Sequence, residues 1–326
     1  MPINRTPVWV TAAVAAAMAV AACGGGTEQP APTGPSKGNP VSIKVGDVEG
    51  APASFLNFGV QKGFFAEHGL TLTVVQQQGG AAIIPGLVSG DLQFGGSNVV
   101  SMLLARDRGL KVQIVAPGTS VGADPGKDFS AVVVAGDSRI AAAKDLRGKT
   151  VAVNTFKNVN EIVLKSYLES HGVEPTALKY VELGFPDMLA AVTRHRVDAA
   201  LVIEPFATVA QSQGARVLFH PYVEAKPNLS IGTYSATEKY VHGNPAVVTA
   251  FRQATAQTAA HITAHPEEYR AALPKLAKVQ ADLASRVNIP VWGDRIDTAS
   301  LEFFADRMVR YGLVKTRPDV AGAVAP

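Results

Sequence analysis

Three short stretches of this chain place small hydroxyl and amide side chains near the starts of helical segments: Ala53-Ser54, Ser97-Asn98 and Thr155-Phe156-Lys157-Asn158. Unpaired backbone N–H groups at helix N-termini carry partial positive charge, so such turns hold oxyanions and other acceptors without a full cation. Ser54, Ser97, Asn98, Thr155 and Asn158 are therefore candidate ligand-binding residues, although capping a helix is the commonest use of these residue types. Lys157 is the one obvious cation in these loops, so an anionic ligand would rest on N–H groups rather than on an arginine clamp. Phe55, Phe58, Phe156, Phe185 and Phe206 fall in or near the same mouths and offer faces for a flat apolar ligand body. Phe156, set between polar residues, is the strongest of them. Glu204 suits a ligand amine or ring N–H, or an ion pair across a hinge, while Asp187 suits the first turn of a helix. The mixture points to a small organic molecule with a polar end and an apolar or ring portion.

Catalytic patterns are weak by comparison. Gly95-Gly96-Ser97-Asn98-Val99 lacks the last glycine of a G-x-S-x-G nucleophile elbow. His261 and His265 have a metal-like spacing on a helix, but without the glutamate of H-E-x-x-H and with Pro266 immediately following. Surface histidines are the ordinary outcome, and no metal, cofactor or catalytic residue is expected.

The lone cysteine has a different chemistry. Cys23 closes Val20-Ala21-Ala22-Cys23, which looks like a lipobox, where cleavage leaves an N-terminal cysteine to be diacylated. Arg5 supplies a short basic region and Val8–Val20 an apolar one. That run is too short for a bilayer span of about 20 residues but suits a signal peptide. Gly24–Pro40 is rich in Gly, Pro and Ser and reads as a flexible tether. The expectation is a body held on the outer face of a cell membrane through lipid on Cys23.

The elements that must position these groups are legible as an alternation. Removing residues 1–22 of 326 leaves enough chain for about two domains of 100–200 residues. With 47% hydrophobic residues it can build full cores, and a net charge of +3 is too balanced to suggest nucleic acid. From Val41, short apolar strands alternate with helices: strands near Val41–Gly46, Leu72–Val75, Leu92–Gly95, Lys111–Ala116, Phe129–Ala135, Thr150–Val153, Tyr180–Leu183 and Ala199–Ile203. Helices fall between them, and after about Leu229 comes one more strand and then mostly helix. This is an α/β pattern with parallel strands.

Four pieces in order carry a resemblance: Gly63-Phe64-Phe65 to Gly69-Leu70, Leu87–Gly95, Asp145–Val153, and Val197-Asp198-Ala199-Ala200 followed by Glu204-Pro205-Phe206. Together they resemble the substrate-binding proteins of ABC importers, in the branch that takes sulfonates, taurine, nitrate and thiamine pyrimidines. The resemblance implies a two-lobed periplasmic-binding-protein type II fold, each lobe a mainly parallel sheet flanked by helices. It places hinge crossings near Val132–Ala135 and Leu229–Thr233. The implied organisation is a signal peptide (1–22), a tether (23–40), one lobe from 41–132 plus 230–326, and a second from 133–229. It also implies a monomer that closes around a small-molecule ligand and meets an ABC permease. A ligand-sensing lipoprotein uses the same body. Thiamine-pyrimidine synthases share the fold, but depend on a cysteine-rich iron motif that this chain lacks.

Overall fold

A computed structural model describes residues 34–326; the expected signal peptide, Cys23 and residues 24–33 lie outside the described residues. The remainder of the expected tether is not free. Ser36 and Asn39 exchange backbone hydrogen bonds of 3.2 and 3.0 Å. Gly69 lies against this turn so closely that a Cβ there would stand 2.2 Å from the Ser36 nitrogen.

The first run of elements is β1 (Val41–Val48), α1 (Ala51–Lys62), α2 (Phe64–Glu67), β2 (Leu70–Gln77), α3 (Gly80–Ser89), β3 (Phe94–Asn98), α4 (Val99–Asp107) and β4 (Val112–Pro117). After β5 (Thr119–Ser120) come β6 (Ser130–Val134), β7 (Thr150–Val153), α5 (Val159–Ser170), β8 (Lys179–Glu182) and α6 (Phe185–Thr193). That run continues with β9 (Ala199–Ile203), α7 (Phe206–Ser212), β10 (Arg216–Phe219) and α8 (Pro221–Ala225). The return consists of β11 (Gly232–Thr237), α9 (Glu238–Gly243), α10 (Pro245–Ala264), α11 (Pro266–Leu276), α12 (Ala281–Ala284), β12 (Val291–Trp292) and α13 (Thr298–Arg310). Local chemistry explains many of the boundaries. Pro52 stands in the first turn of α1, where its missing N–H costs nothing, and Asn98 and Asn158 cap α4 and α5.

Two five-stranded sheets form, with orders β2-β1-β3-β11-β4 and β8-β7-β9-β6-β10. The orders match position for position. In the first, β11 runs antiparallel to both neighbours, and in the second β6 does. Each sheet is thus four strands in one direction plus one reversed strand. β12 and β5 form a separate two-stranded ladder.

The chain passes twice between the sheets, and the two passages pair with each other. Ile231 donates to Thr119 O at 2.8 Å, Val121 to Leu229 O at 3.0 Å and Asn228 to Gly122 O at 2.9 Å. The return passage overlaps the expected Leu229–Thr233. The outbound one does not fall at Val132–Ala135, because Val132–Val134 are interior residues of β6. Their apolar run reflects a fully buried strand, whereas the crossing lies upstream, between Pro117 and Ser130, so residues 130–132 go with the second sheet. Behind the sheets one apolar cluster joins α4, α5 and α13, through Val99, Leu103, Ile162, Val163, Phe304 and Met308. On its rim Arg310 pairs with Glu169, which also accepts from Tyr311 at 2.9 Å.

Candidate functional site

Strands of both sheets converge on one cavity that is partly open to solvent. Such a place, beyond strand ends and in front of helix N-termini, is where α/β sheets bind ligands. From the first sheet come Asp47 of β1, Gly96, Ser97 and Asn98 of β3, and Thr233 and Tyr234 of β11. From the second come Asn154 just past β7, Asn158 and Asn160 at the start of α5, and Ile203 of β9. The paired crossings contribute Gly118, Thr119 and Ile231, and Phe129, Phe185 and Tyr222 complete the wall.

The second-sheet side is a connected amide network. Asn154 Oδ1 accepts from Asn158 Nδ2 and Asn160 Nδ2, both at 2.8 Å. Asn160 Oδ1 accepts from the Tyr222 hydroxyl, and Asn158 Oδ1 caps α5 by accepting from the Asn160 and Glu161 nitrogens. On the first-sheet side, Asn98 Oδ1 accepts from Ser101 N at 2.9 Å. Among the described residues Ser97 Oγ reaches only the Asn98 carbonyl, at 3.5 Å, a weak contact. Thr233 Oγ1 is buried without a partner among the described residues. Asp47 is fully buried beside it, and burial pushes its carboxyl up to about 7. Near the cavity mouth, hydrogen bonds that cross from one sheet's side to the other include Asn154 Nδ2 to Gln78 O at 2.8 Å and Ala51 N to Glu204 O at 3.0 Å.

A family profile described as NMT1/THI5 like matches residues 54–269. The chain belongs to the NMT1/THI5-like family. Among curated proteins, the taurine-binding periplasmic protein of Escherichia coli is 24% identical over 204 residues, covering 63% of this chain and 61% of that one. The formylaminopyrimidine-binding protein of Halalkalibacterium halodurans is 26% identical over 218 residues, covering 66% and 64%. The matched stretch thus spans under two thirds of the length of either relative. Among solved structures, the alkanesulfonate-binding protein of Xanthomonas axonopodis pv. citri bound to MOPS superposes with a TM-score of 0.76 at 18% identity, covering 88% of this chain and 99% of that one. The aliphatic sulphonate-binding protein of Escherichia coli gives 0.69 at 20% identity, covering 88% and 93%. These likenesses show that the NMT1/THI5-like chain has the periplasmic-binding-protein fold.

Within this NMT1/THI5-like body the expected site residues divide sharply. Ser97, Asn98 and Asn158 line the cavity, and so does Phe185. Thr155 lies just behind, accepting from Asn158 Nδ2 at 2.5 Å. Ser54 turns back into α1 and donates to Gly50 O at 2.8 Å. Phe55 stacks on Trp292 at 4.1 Å and Phe58 meets Tyr269 edge-on at 5.3 Å, both in the core. Phe206 stacks on Phe185 at 5.4 Å from outside the cavity. Phe156 is 44% exposed, and neither it nor the exposed Lys157 lines the cavity. Their backbone nitrogens donate to Glu182 and Glu161, which turns the loop outward. Asp187 is exposed in the first turn of α6. The Glu204 carboxylate accepts from Thr208 N at 3.1 Å, Thr208 Oγ1 at 2.9 Å and Asn288 N at 3.2 Å. It ties α7 to the return segment rather than facing a ligand, and burial raises it to about 7.

Asp47, Asn154, Asn160, Tyr222, Thr233 and Tyr234 are absent from the sequence-based set. A signal existed for two of them: Asp47 lies near the end of β1 and Asn154 follows β7, matching positions in the two sheet orders. Asn160 lies in the first turn of α5, two positions past the expected Asn158, whereas Tyr222, Thr233 and Tyr234 reach the cavity through long-range pairing and have no local signature. Away from the cavity, His261 Nε2 lies 3.1 Å from Glu268, and His265 Nδ1 lies 3.8 Å from Glu267. Lys62 also pairs with Glu268, so these groups form a half-exposed ion-pair network.

Proposed function

We propose that this protein is the extracytoplasmic solute-binding component of an ABC importer, taking a small sulfonate-like, taurine-like or pyrimidine-like molecule. The observation that carries this reading is the cavity itself, whose donors and acceptors come from both sheets and from the paired crossings. The two curated relatives are named for binding taurine and a formylaminopyrimidine, both small organic molecules. Among the described residues, the lining offers hydrogen-bonding groups but no nucleophile partnered with a base, which favours capture over chemistry.

The two sheets with their helices act as lobes: residues up to about 117 with 232–326, and 130–219. A ligand touching Ser97, Asn98 and Thr233 on one side and Asn154 and Asn158 on the other gains its full set of contacts only when the lobes meet. Its differential affinity therefore favours the closed arrangement, and a permease reads that arrangement. Lipid on Cys23 keeps the body at the outer face of the membrane and raises its concentration near the permease.

The test is small-angle scattering with calorimetry, using taurine, an alkanesulfonate and an aminopyrimidine. A ligand that binds should reduce the radius of gyration. Heat of binding with an unchanged scattering curve would rule out lobe closure. Radiolabelled palmitate should appear on the wild-type protein and not on Cys23→Ser.

A further inference from the structure

The cavity has an unusual charge balance. Asp47 is the only carboxylate among its lining residues, and they include no lysine, arginine or histidine. A buried carboxylate without a paired cation is costly, and proteins keep such groups where a partner arrives or a hydrogen-bond network consumes every acceptor site. Among the described residues, the network does not consume them here. Asp47 Oδ1 accepts from Val48 N at 2.8 Å, and Oδ2 accepts from the Tyr234 hydroxyl at 3.2 Å. An ionised carboxylate has about four acceptor sites, so roughly two remain.

The surroundings hold that group in place. Gly96 leaves the room it needs: a Cβ there would stand 2.3 Å from Asp47 Oδ1. Tyr234 is itself buried and stacks near Phe55, which fixes its hydroxyl against the acid. Thr233, the residue before it, brings an unpartnered hydroxyl to the same cavity. The Asp47 charge also raises Tyr269, which is buried as well, and neither tyrosine supplies positive charge. The remaining polar lining, Ser97, Asn98, Asn154 and Asn158 among it, is neutral.

Resting on the solute-binding reading above, we propose that Asp47 is the specificity residue of the cavity and that the ligand carries an ammonium or N–H-donating amino group directed at it. An aminoalkyl sulfonate and an aminopyrimidine share that chemistry. An unsubstituted alkanesulfonate or an inorganic anion lacks it and would meet a buried acid with nothing to offer. The two capped helix starts, at Asn98 and Asn158, are left for the acceptor end of the ligand.

Two matched pairs of probes test this by calorimetry: taurine against 2-hydroxyethanesulfonate, and 4-amino-2-methylpyrimidine against 2-methylpyrimidine. In whichever pair binds, the amino compound should bind at least about tenfold tighter, as expected when a polar site meets a ligand that leaves it unpaired. Asp47→Asn should reduce that preference to below about threefold, whereas Tyr234→Phe, which keeps the carboxylate, should retain it. Taurine affinity should also rise as pH is raised through the Asp47 value near 7, because the acid gains its charge. Should the amine-free members bind as tightly to the wild-type protein, the proposal is overturned while the solute-binding reading stands. It is overturned equally if taurine affinity falls with rising pH, since a protonated Asp47 would then be donating to an acceptor. If none of the four probes binds, the proposal falls together with the ligand classes on which it rests.

Discussion

Asn154 Nδ2 donates to the carbonyl of Gln78 at 2.8 Å, joining the residue after β7 to the loop after β2. The two follow strands of different sheets, so the bond spans the mouth of the cavity. The same amide receives the side-chain N–H groups of Asn158 and Asn160 on its oxygen. The contact across the mouth and the internal order of the second-sheet wall therefore meet in one side chain.

Asn154→Ala should weaken ligand binding by about 1–3 kcal/mol, the usual cost of leaving buried partners unsatisfied. That corresponds to roughly five- to 150-fold in Kd by calorimetry. Scattering on the variant with ligand should show a less complete contraction than the wild type. An unchanged Kd would show that the cross-mouth bond contributes nothing to closure.

Asn158 has a separable structural share. Its Oδ1 caps α5 from the cavity side, so Asn158→Ala should cost about 1 kcal/mol of apo stability in urea denaturation. Asn158→Asp keeps the cap acceptor and should recover most of that loss. Ligand affinity should fall in both variants, because both lose the Nδ2 donation to Asn154.

Phe156 is 44% exposed and outside the cavity. Phe156→Ala should leave Kd within about twofold and stability within about 0.5 kcal/mol, as for surface substitutions in general. A tenfold loss of affinity would return the side chain to the binding surface in the bound form.

Stability of the ligand-free protein should fall as pH rises from about 5 to about 8. Asp47 and Glu204 both sit near 7 in the folded chain, well above the ordinary 3.8 and 4.5. Between those ordinary values and 7 the folded state holds protons that the unfolded state has released. Raising pH through this window then favours unfolding. A melting series should show the decline, and Asp47→Asn or Glu204→Gln should each remove part of it. Flat melting temperatures over that range would show that these acids are ionised in the folded protein.

Gly96→Ala should destabilise the protein by about 1–3 kcal/mol, the usual range for overfilling a packed site. The added Cβ would press on the Asp47 carboxyl from 2.3 Å. Combining it with Asp47→Ala, which empties that space, should recover much of the loss in denaturant melts. Equal losses in the single and double variants would place the strain elsewhere.

How much of this was legible depends on how far apart the deciding residues lie. The strands Thr150–Val153 and Ala199–Ile203 stand where the apolar pattern puts them, and helices begin at the expected Ser97-Asn98 and Asn158. Those signals are contained within about a dozen residues, as helix turns and caps require. The Asn98 and Asn158 caps that face the cavity were legible for the same reason. Strand order was not. Asp47 and Tyr234 meet although 187 positions separate them, and only the insertion of β11 between β3 and β4 brings them together. Local sequence likewise gave no means of telling a phenylalanine that walls the cavity from one that fills a core. Phe55, Phe58 and Phe206 follow the same apolar pattern as Phe185, and their fates were decided by what each helix packs against. Helix ends are written in nearby residues, whereas a pocket is an agreement among distant ones.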